Sequence, residues 1–401
     1  MELRPILSSL LRNRAGATLV AVQIAITLSI VVNAVYVTQQ RVEKIGRPSG
    51  IDDQNIFYFP ATAFEKNFDF KAMVRDDLEL LRRTPGVVDA APMKQIPLTG
   101  SGSSTGFYSL PDKKGEESAA NYFPTDDHGI NALGTKLSAG TTFDPANVEF
   151  RPYSEQGFPP VAIISQGLAT ALFKKEPALG KTFYDAQSKP YKVVGVIEHM
   201  HGSWVGWDKV DRLMLSPFIR DDGTVRHMVR TEPGKIDAVM TAVEKAMRER
   251  DPNRVIGKFQ KLSDRKKRSY ADDTLMAVTL TVVTGLVLIF SSLGIFGLAT
   301  FNVNTRTRQI GTRRAIGARK RDIVRYFMTE NWFVTTLGVA VGCCLALATG
   351  FWLSNEYQLP RLDLYYLIGG VIGLWIVGQL AAWQPSLKAA KVSPAMATRN
   401  V

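Results

Sequence analysis

The chain has 401 residues, 45% of them hydrophobic, and a formal charge of +12 at pH 7, averages that by themselves fit two or three soluble domains. Their distribution excludes that reading. Four uncharged stretches, at 15–37, 274–301, 331–353 and 365–383, each approach the roughly 17–25 residues a helix needs to cross the hydrocarbon core.

In chain order, residues 1–14 form a cytoplasmic segment and 15–37 a first span. The apolar run is longer than a signal-peptide core of about 7–15 residues, and no small-x-small cleavage site follows Val37, so the span is expected to be retained as an anchor. Residues 38–273 are mixed polar sequence and predict one large extracytoplasmic domain. Phe70 to Arg83 carries Met73, Val74, Leu78 and Leu81 at helical spacing and stops at Thr84–Pro85–Gly86, after which Val87 and Val88 begin an extended run. Pro160 to Ile164 and Tyr191 to Ile197 read as strands. Gln166 to Lys174 reads as a helix, and Ile236 to Arg250 as an amphipathic helix with Ile236, Val239, Met240, Val243 and Met247 on one face. Leu98 to Gly106 and Pro111 to Glu117 have the composition of loops. The fold class is therefore an α-helical membrane protein with four transmembrane helices and a large α+β extracytoplasmic domain, in two lobes, between helices 1 and 2.

This domain contains three patterns that imitate catalytic or ligand motifs. Gly102–Ser103–Ser104–Thr105–Gly106 fits G-x-S-x-G but lies in a polar, turn-rich run with no partner histidine singled out. Gly180–Lys181–Thr182 ends like a phosphate loop, yet Lys175 stands where the loop's first glycine belongs. His199–Met200–His201 follows a strand without an evident third ligand, so it reads as a loop that caps a sheet. The two cysteines, Cys343 and Cys344, both fall in the third stretch, which leaves the outer domain without disulfides or a thiolate metal site.

The second span covers 274–301 and carries a small patch at Gly294 and Gly297; a cytoplasmic loop at 302–330 follows. The third span, 331–353, repeats small residues every fourth position at Gly338, Gly342, Ala346 and Gly350, a smooth stripe on which another helix backbone can approach closely. A short outer loop, 354–364, leads to the fourth span, 365–383, where Gly369 and Gly373 repeat the spacing; a cytoplasmic tail runs from 384 to 401. Trp332, Trp352, Tyr365, Tyr366 and Trp383 bracket the last two spans where amphipathic rings favour the interface. No Asp, Glu, Lys, Arg or His lies inside any span, which argues against a proton- or ion-coupled carrier.

Segments 1–14, 303–325 and 384–401 together hold 14 of the 49 basic residues and 2 of the 37 acidic ones, leaving 35 of each sign elsewhere. The whole net charge thus lies on one side of the membrane, which is the cytoplasmic side by the positive-inside rule, with both termini inside. Arg265, Lys266, Lys267 and Arg268 are a local conflict on the outer side, diluted by Asp264, Asp272 and Asp273. A basic juxtamembrane loop serves topology and lipid headgroups before nucleic acid, and no nucleic-acid partner is expected.

The sequence QIGTRRAIGA at 309–318, followed by RKRDIVRYFMTEN, resembles the E-I-G-I-R-R-A-L-G-A-x-x-x-D-I motif after the second span of MacB/FtsX-type permeases, the membrane subunits of mechanotransmitting ABC transporters. LRNRAGATL, ALGTKLSAGTTF, IISQGLATALF, ALGKTF, YKVVGVIEHMH and the tail PSLKAAKVSPAMATRN are similar to other family segments, so the resemblance spans nearly the whole chain. Gln309 stands in place of the family's glutamate and Thr312 in place of its aliphatic residue.

The resemblance implies a non-catalytic permease subunit, with no cofactor of its own, coupled to a separate ABC ATPase subunit that binds ATP and Mg. The coupling helix would comprise Gln309, Ile310, Gly311, Arg313, Arg314, Ala315, Ile316, Gly317 and Ala318. Read from the residues alone, Ile316, Ile323, Val324 and Phe327 are expected along one helical side, with the arginines toward lipid phosphates or an acidic groove. A second permease copy, or a related permease, is expected to pair through the glycine-striped helices. Further expectations are an inner-membrane location, export or efflux of an antimicrobial or peptide, and an accompanying periplasmic adaptor and outer-membrane conduit. The alternatives are lipoprotein release, control of a cell-wall hydrolase, or a four-span ligand sensor.

Overall fold

The computed structural model describes residues 14–64, 69–152, 154–155, 157–250, 254–357 and 361–393. The expectations for the amino-terminal segment up to residue 13 and for the tail from 394 onward lie outside the described residues. The chain divides into two compact units, one of residues 47–272 and one formed by 1–46 with 273–401.

The chain enters through helix α1 (Arg14–Gly46). The first lobe of the interspan unit then begins with strand β1 (Ile56–Ala63), helix α2 (Phe70–Arg83) and strand β2 (Val87–Pro92). Helix α2 starts where the Asp69 carboxylate accepts from the Ala72 amide at 2.9 Å, satisfying one of the amides left open at a helix start. Its buried face is Phe70, Met73, Val74, Leu78 and Leu81.

The second lobe is built from β3 (Ser104–Leu110), β4 (Lys114–Thr125), α3 (Gly129–Leu133), β5 (Leu137–Gly140), β6 (Glu149–Pro152), β7 (Val161–Ser165), α4 (Gln166–Phe173), β8 (Thr182–Asp185), β9 (Pro190–Ile197) and β10 (Leu213–Asp221). The path β4-β3-β8-β9-β7-β10 closes on itself because β10 also pairs in parallel with β4. The ring removes the unpaired edges an open sheet would present. Its core holds Phe107, Phe183 and Tyr191, with Leu168 and Leu172 of α4.

The β3–β4 hairpin corrects the loop reading of Leu98 to Gly106 and Pro111 to Glu117. Strand β3 begins at Ser104, and β4 is already extended at Lys114, with Asp112 and Lys113 at φ of 58° and 57° in the connection. Polar composition here reflects the exposed outer side of a strand, since Lys114 to Glu117 are all exposed while Ser118, Ala120 and Phe123 are buried.

The chain returns to the first lobe as β11 (Thr224–Thr231), α5 (Ile236–Arg250), β12 (Arg254–Ile256), β13 (Gln260–Lys261) and α6 (Leu262–Ser269). Strand β1 pairs antiparallel with β11, β12 and β13, and β11 with β2. Phe57 and Phe59 of β1 are buried, and Phe59 stacks on Phe259 at 4.2 Å. Val239, Val243 and Met247 of α5 join α2 in the same core. A buried ion-pair cluster lies at this core, in which both Asp77 oxygens accept from Arg254 at 2.6 Å and one meets His227 Nε2 at 3.0 Å.

The other unit continues with α7 (Ala271–Thr305), α8 (Thr307–Ala315), α9 (Lys320–Tyr357) and α10 (Leu364–Ala390). Helices α1, α7, α9 and α10 are long and apolar enough to cross a membrane. At the α1–α7 end, Asp273 pairs with Arg41 at 2.5 Å and Lys44 at 2.7 Å. Asp273 is therefore engaged by α1, while in the interspan unit Lys266 of the basic cluster finds Asp53 at 2.6 Å.

Candidate functional site

The 302–330 segment folds as a helical hairpin tip. Helix α8 closes at Gly317, whose φ is +106°. The amide of Ala318 donates to Arg313 O at 3.0 Å and that of Gly317 to Arg314 O at 3.2 Å. These two bonds form a Schellman stop with glycine in the left-handed position it favours. Helix α9 starts with the Arg319 amide donating to the Asp322 carboxylate at 3.0 Å, half of a capping box. QIGTRRAIGA followed by RKRD therefore encodes one helix end, a turn and the next helix start.

Beneath the tip, Val303, Ile310, Ile323, Phe327, Ala389 and Ala390 form a small core. Arg306 reaches both oxygens of Glu330 at 2.9 Å, with the two side chains only 14% and 6% exposed. Arg314 donates to Ala390 O at 3.0 Å and Val392 O at 2.8 Å, closing the carbonyl end of α10. Arg313 lies over the Tyr326 ring, 4.7 Å from its centroid.

These contacts separate the nine coupling candidates. Ile310 and Gly311 are buried, Arg314 is committed to α10, and Gln309, Arg313, Ala315, Ile316 and Gly317 are exposed, with Ala318 half-buried. The expected common face of Ile316, Ile323, Val324 and Phe327 does not form. Gly317 ends one helix before the next begins, so Ile323 and Phe327 turn into the core while Ile316 is 83% exposed at the tip. Arg308, Arg319, Lys320, Arg321 and Arg325 of the same two helices are also exposed.

The packing candidates separate as well. A methyl built on Gly338 would lie 2.7 Å from Ala21 O, and one on Gly342 would lie 3.0 Å from Ala25 Cα. Ala346 is fully buried, and a methyl on Gly350 would lie 3.0 Å from Asn33 Oδ1. The third-span stripe is therefore occupied by α1 of the same chain. That corrects the expectation that it forms the surface for a second copy. Gly369 and Gly373 have open space where a side chain would go. The close approaches of α10 come instead at Gly370 and Gly378, where an added methyl would lie 2.4 Å from Val32 Cγ2 and 3.1 Å from Thr335 Oγ1. On α7, a methyl on Gly294 would lie 2.3 Å from Gln23 Oε1, whereas Gly297 faces open space.

Two family models cover this architecture: the MacB-like periplasmic core domain over residues 15–248 and the FtsX-like permease C-terminal domain over 281–394. The chain belongs to the MacB/FtsX-type permease family. As an ABC transporter permease it is 24% identical over 361 residues to the macrolide export ATP-binding/permease protein MacB of Neisseria gonorrhoeae, covering 86% of this chain and 52% of MacB. It is also 24% identical over 293 residues to the ABC transporter permease YknZ of Bacillus subtilis, covering 71% of each chain. It spans about half the length of the MacB relatives it matches. Among solved structures, the periplasmic region of MacB from Actinobacillus actinomycetemcomitans is 15% identical and covers 56% of this chain and 97% of that one, at a TM-score of 0.34.

The catalytic and ligand imitations in this permease have ordinary surroundings. Ser104 opens a sheet strand, and Lys181 pairs with Glu176 ahead of β8. His199 Nε2 lies 2.7 Å from Pro48 O, and His201 is buried edge-on to it, its pKa pushed down to about 4 by burial and then by the His199, Arg47 and Lys266 charges. Local sequence gave no sign of the Arg306–Glu330 pair or of the amide of Asn33, which donates to Ala346 O at 3.2 Å and Thr349 Oγ1 at 3.0 Å.

Proposed function

We propose that this permease is the membrane subunit of a mechanotransmitting ABC transporter of the cytoplasmic membrane. A partner ATPase, holding ATP and Mg, docks on the α8–α9 tip and drives the interspan domain on the outer face. The observation that carries the proposal is Ile316, 83% exposed at a turn capped on both sides and followed directly in the chain by exposed Arg319, Lys320 and Arg321. A lone apolar knob within a basic rim is suited to an apolar pocket with an acidic border, and such a centre carries most of an interface's energy.

Export of an antimicrobial or peptide is the substrate reading, supported by relatives named for macrolide export. A second permease copy is the expected membrane partner. A periplasmic adaptor with an outer-membrane conduit would extend the route. With the third-span stripe filled by α1, copies would meet through other faces, and α7, whose apolar window is only 11% buried, offers the most surface.

The test is Ile316→Asp in the complex with its ATPase. The variant should melt like the native chain because Ile316 is exposed at the tip, while nucleotide hydrolysis stimulated by the permease should fall about tenfold or more, as for loss of an interface anchor. Unchanged co-purification and unchanged stimulated hydrolysis would remove the tip from the coupling role.

A further inference from the structure

Tyr58, Lys94, Gln95, Arg226, Gln260 and Arg265 line a cleft of about 480 Å³ in the interspan domain, together with Thr99 and residues 101–103. That volume falls within the roughly 300–1,000 Å³ of small-molecule sites. The wall is built closely, because a methyl on Gly102 would meet Ser203 Oγ at 2.2 Å and Gln95 Oε1 at 3.3 Å. Gln95 Oε1 in turn accepts from the Ser103 amide at 2.7 Å. The G-x-S-x-G imitation thus forms part of a cleft wall.

The charges in the cleft are one-sided. Lys94 is neutralised by Asp222. Arg226 and Arg265 spend single bonds on carbonyls, Lys94 O at 2.6 Å and Thr99 O at 3.1 Å, and neither has a carboxylate partner among the described residues. Arg265 Nε is buried with no hydrogen-bond partner. Among the described residues lining the cleft none is acidic, unlike the cleft at Glu198 and Asp211 or the groove at Asp126 and Asp127. Burial pushes the Tyr58 hydroxyl above its ordinary pKa, against the pull of the Arg265 and Arg226 charges, a hydrogen bond from Arg265 and the Arg268 charge. Two planar guanidiniums facing a donor-rich, acid-free cavity match the geometry and charge of an oxyanion.

We propose that this cleft binds the carboxylate or phosphate group of a polar organic ligand, with Arg226 and Arg265 as its anchors. The site shares no residue with the coupling tip, and its test needs neither nucleotide nor ATPase. Calorimetry on the full chain in neutral detergent, in phosphate-free buffer of low ionic strength, would compare glycerol 3-phosphate with glycerol, and N-acetyl-dialanine with its carboxamide. Saturable binding of at least one anion, without binding of its neutral counterpart, is expected. The anion that binds identifies the source as phosphate ester or peptide carboxylate, and binding of both identifies the shared oxyanion.

Arg226→Gln and Arg265→Gln should each weaken binding about tenfold or more, while Lys192→Gln on the exposed side of β9 should not. Should a glutamine variant fail to fold, phenylglyoxal modification of the native chain replaces it, and bound anion should protect Arg226 and Arg265. No anion binding, equal binding of the neutral compounds, native affinity in both glutamine variants, or equal modification with and without anion would each overturn the proposal.

Discussion

The third and fourth spans carry the same spacing of small residues and put it to different uses. On α9, Gly338, Gly342 and Gly350 lie so close to α1 that even a methyl would touch Ala21, Ala25 or Asn33, and the methyl of Ala346 is fully buried. On α10, Gly369 and Gly373 face open space, and the contacts fall on Gly370 and Gly378. Spacing of four identifies a smooth face on a helix, but the residue that the partner helix touches depends on rotation, and one position along a helix is about 100°. A stripe therefore predicts that close approach is possible and leaves open which helix makes it.

The sharpest challenge to this contrast is Gly342→Leu. The side chain would enter where Ala25 Cα and Leu28 Cβ each lie 3.0 Å from the first carbon, and because one of those atoms is backbone the site cannot relax by a rotamer change. Loss of about 3 kcal/mol is expected, at the upper end of overpacking penalties, read as a lower melting midpoint of the full chain in detergent. A native midpoint would mean that α1 does not occupy the stripe.

Gly338→Ala adds only one methyl, but at 2.7 Å from Ala21 O and 2.8 Å from Ile24 Cβ. About 1–2 kcal/mol should be lost in the same melt, and a stabilised variant would show that the helices stand further apart. Asn33→Leu removes the amide that donates to Ala346 O and Thr349 Oγ1. Interhelical hydrogen bonds in membranes average about 0.6 kcal/mol, so a shift of that order is expected; a drop as large as that of Gly342→Leu would make polar contacts the main fastening.

The smallest effect is expected at Gly373→Leu, within about 0.5 kcal/mol of native, as for a surface substitution. A large loss of stability would erase the contrast between the two stripes. A native melt with lost ATPase stimulation would instead place a second permease copy on that face.

Much of the architecture was legible because its signals are local. Four apolar runs, the 70–83 helix ending at Thr84–Pro85–Gly86, and the 236–250 helix depend on composition and period within a single segment, and the structure places a helix at each. The β3–β4 hairpin was missed because its exposed polar side resembles a loop until the partner strand is known. At the tip, the basic motif was recognisable but the fate of each arginine was not. Arg314 finds its acceptors at Ala390 and Val392, more than seventy residues away, and no window around position 314 contains them. The cleft at Arg226 and Arg265 was hidden for the same reason, since its lining is gathered from four separated stretches of the chain.

The Arg306–Glu330 pair makes the base of the α8–α9 hairpin a two-key lock. Breaking such a shielded pair from one side typically costs about 3–5 kcal/mol, whereas replacing both partners with well-fitted apolar residues is often neutral or better. A scan that changes one position at a time would score both as indispensable and would be blind to any double replacement that the hairpin tolerates. For the residues that hold this hairpin, the unit of tolerance is the pair.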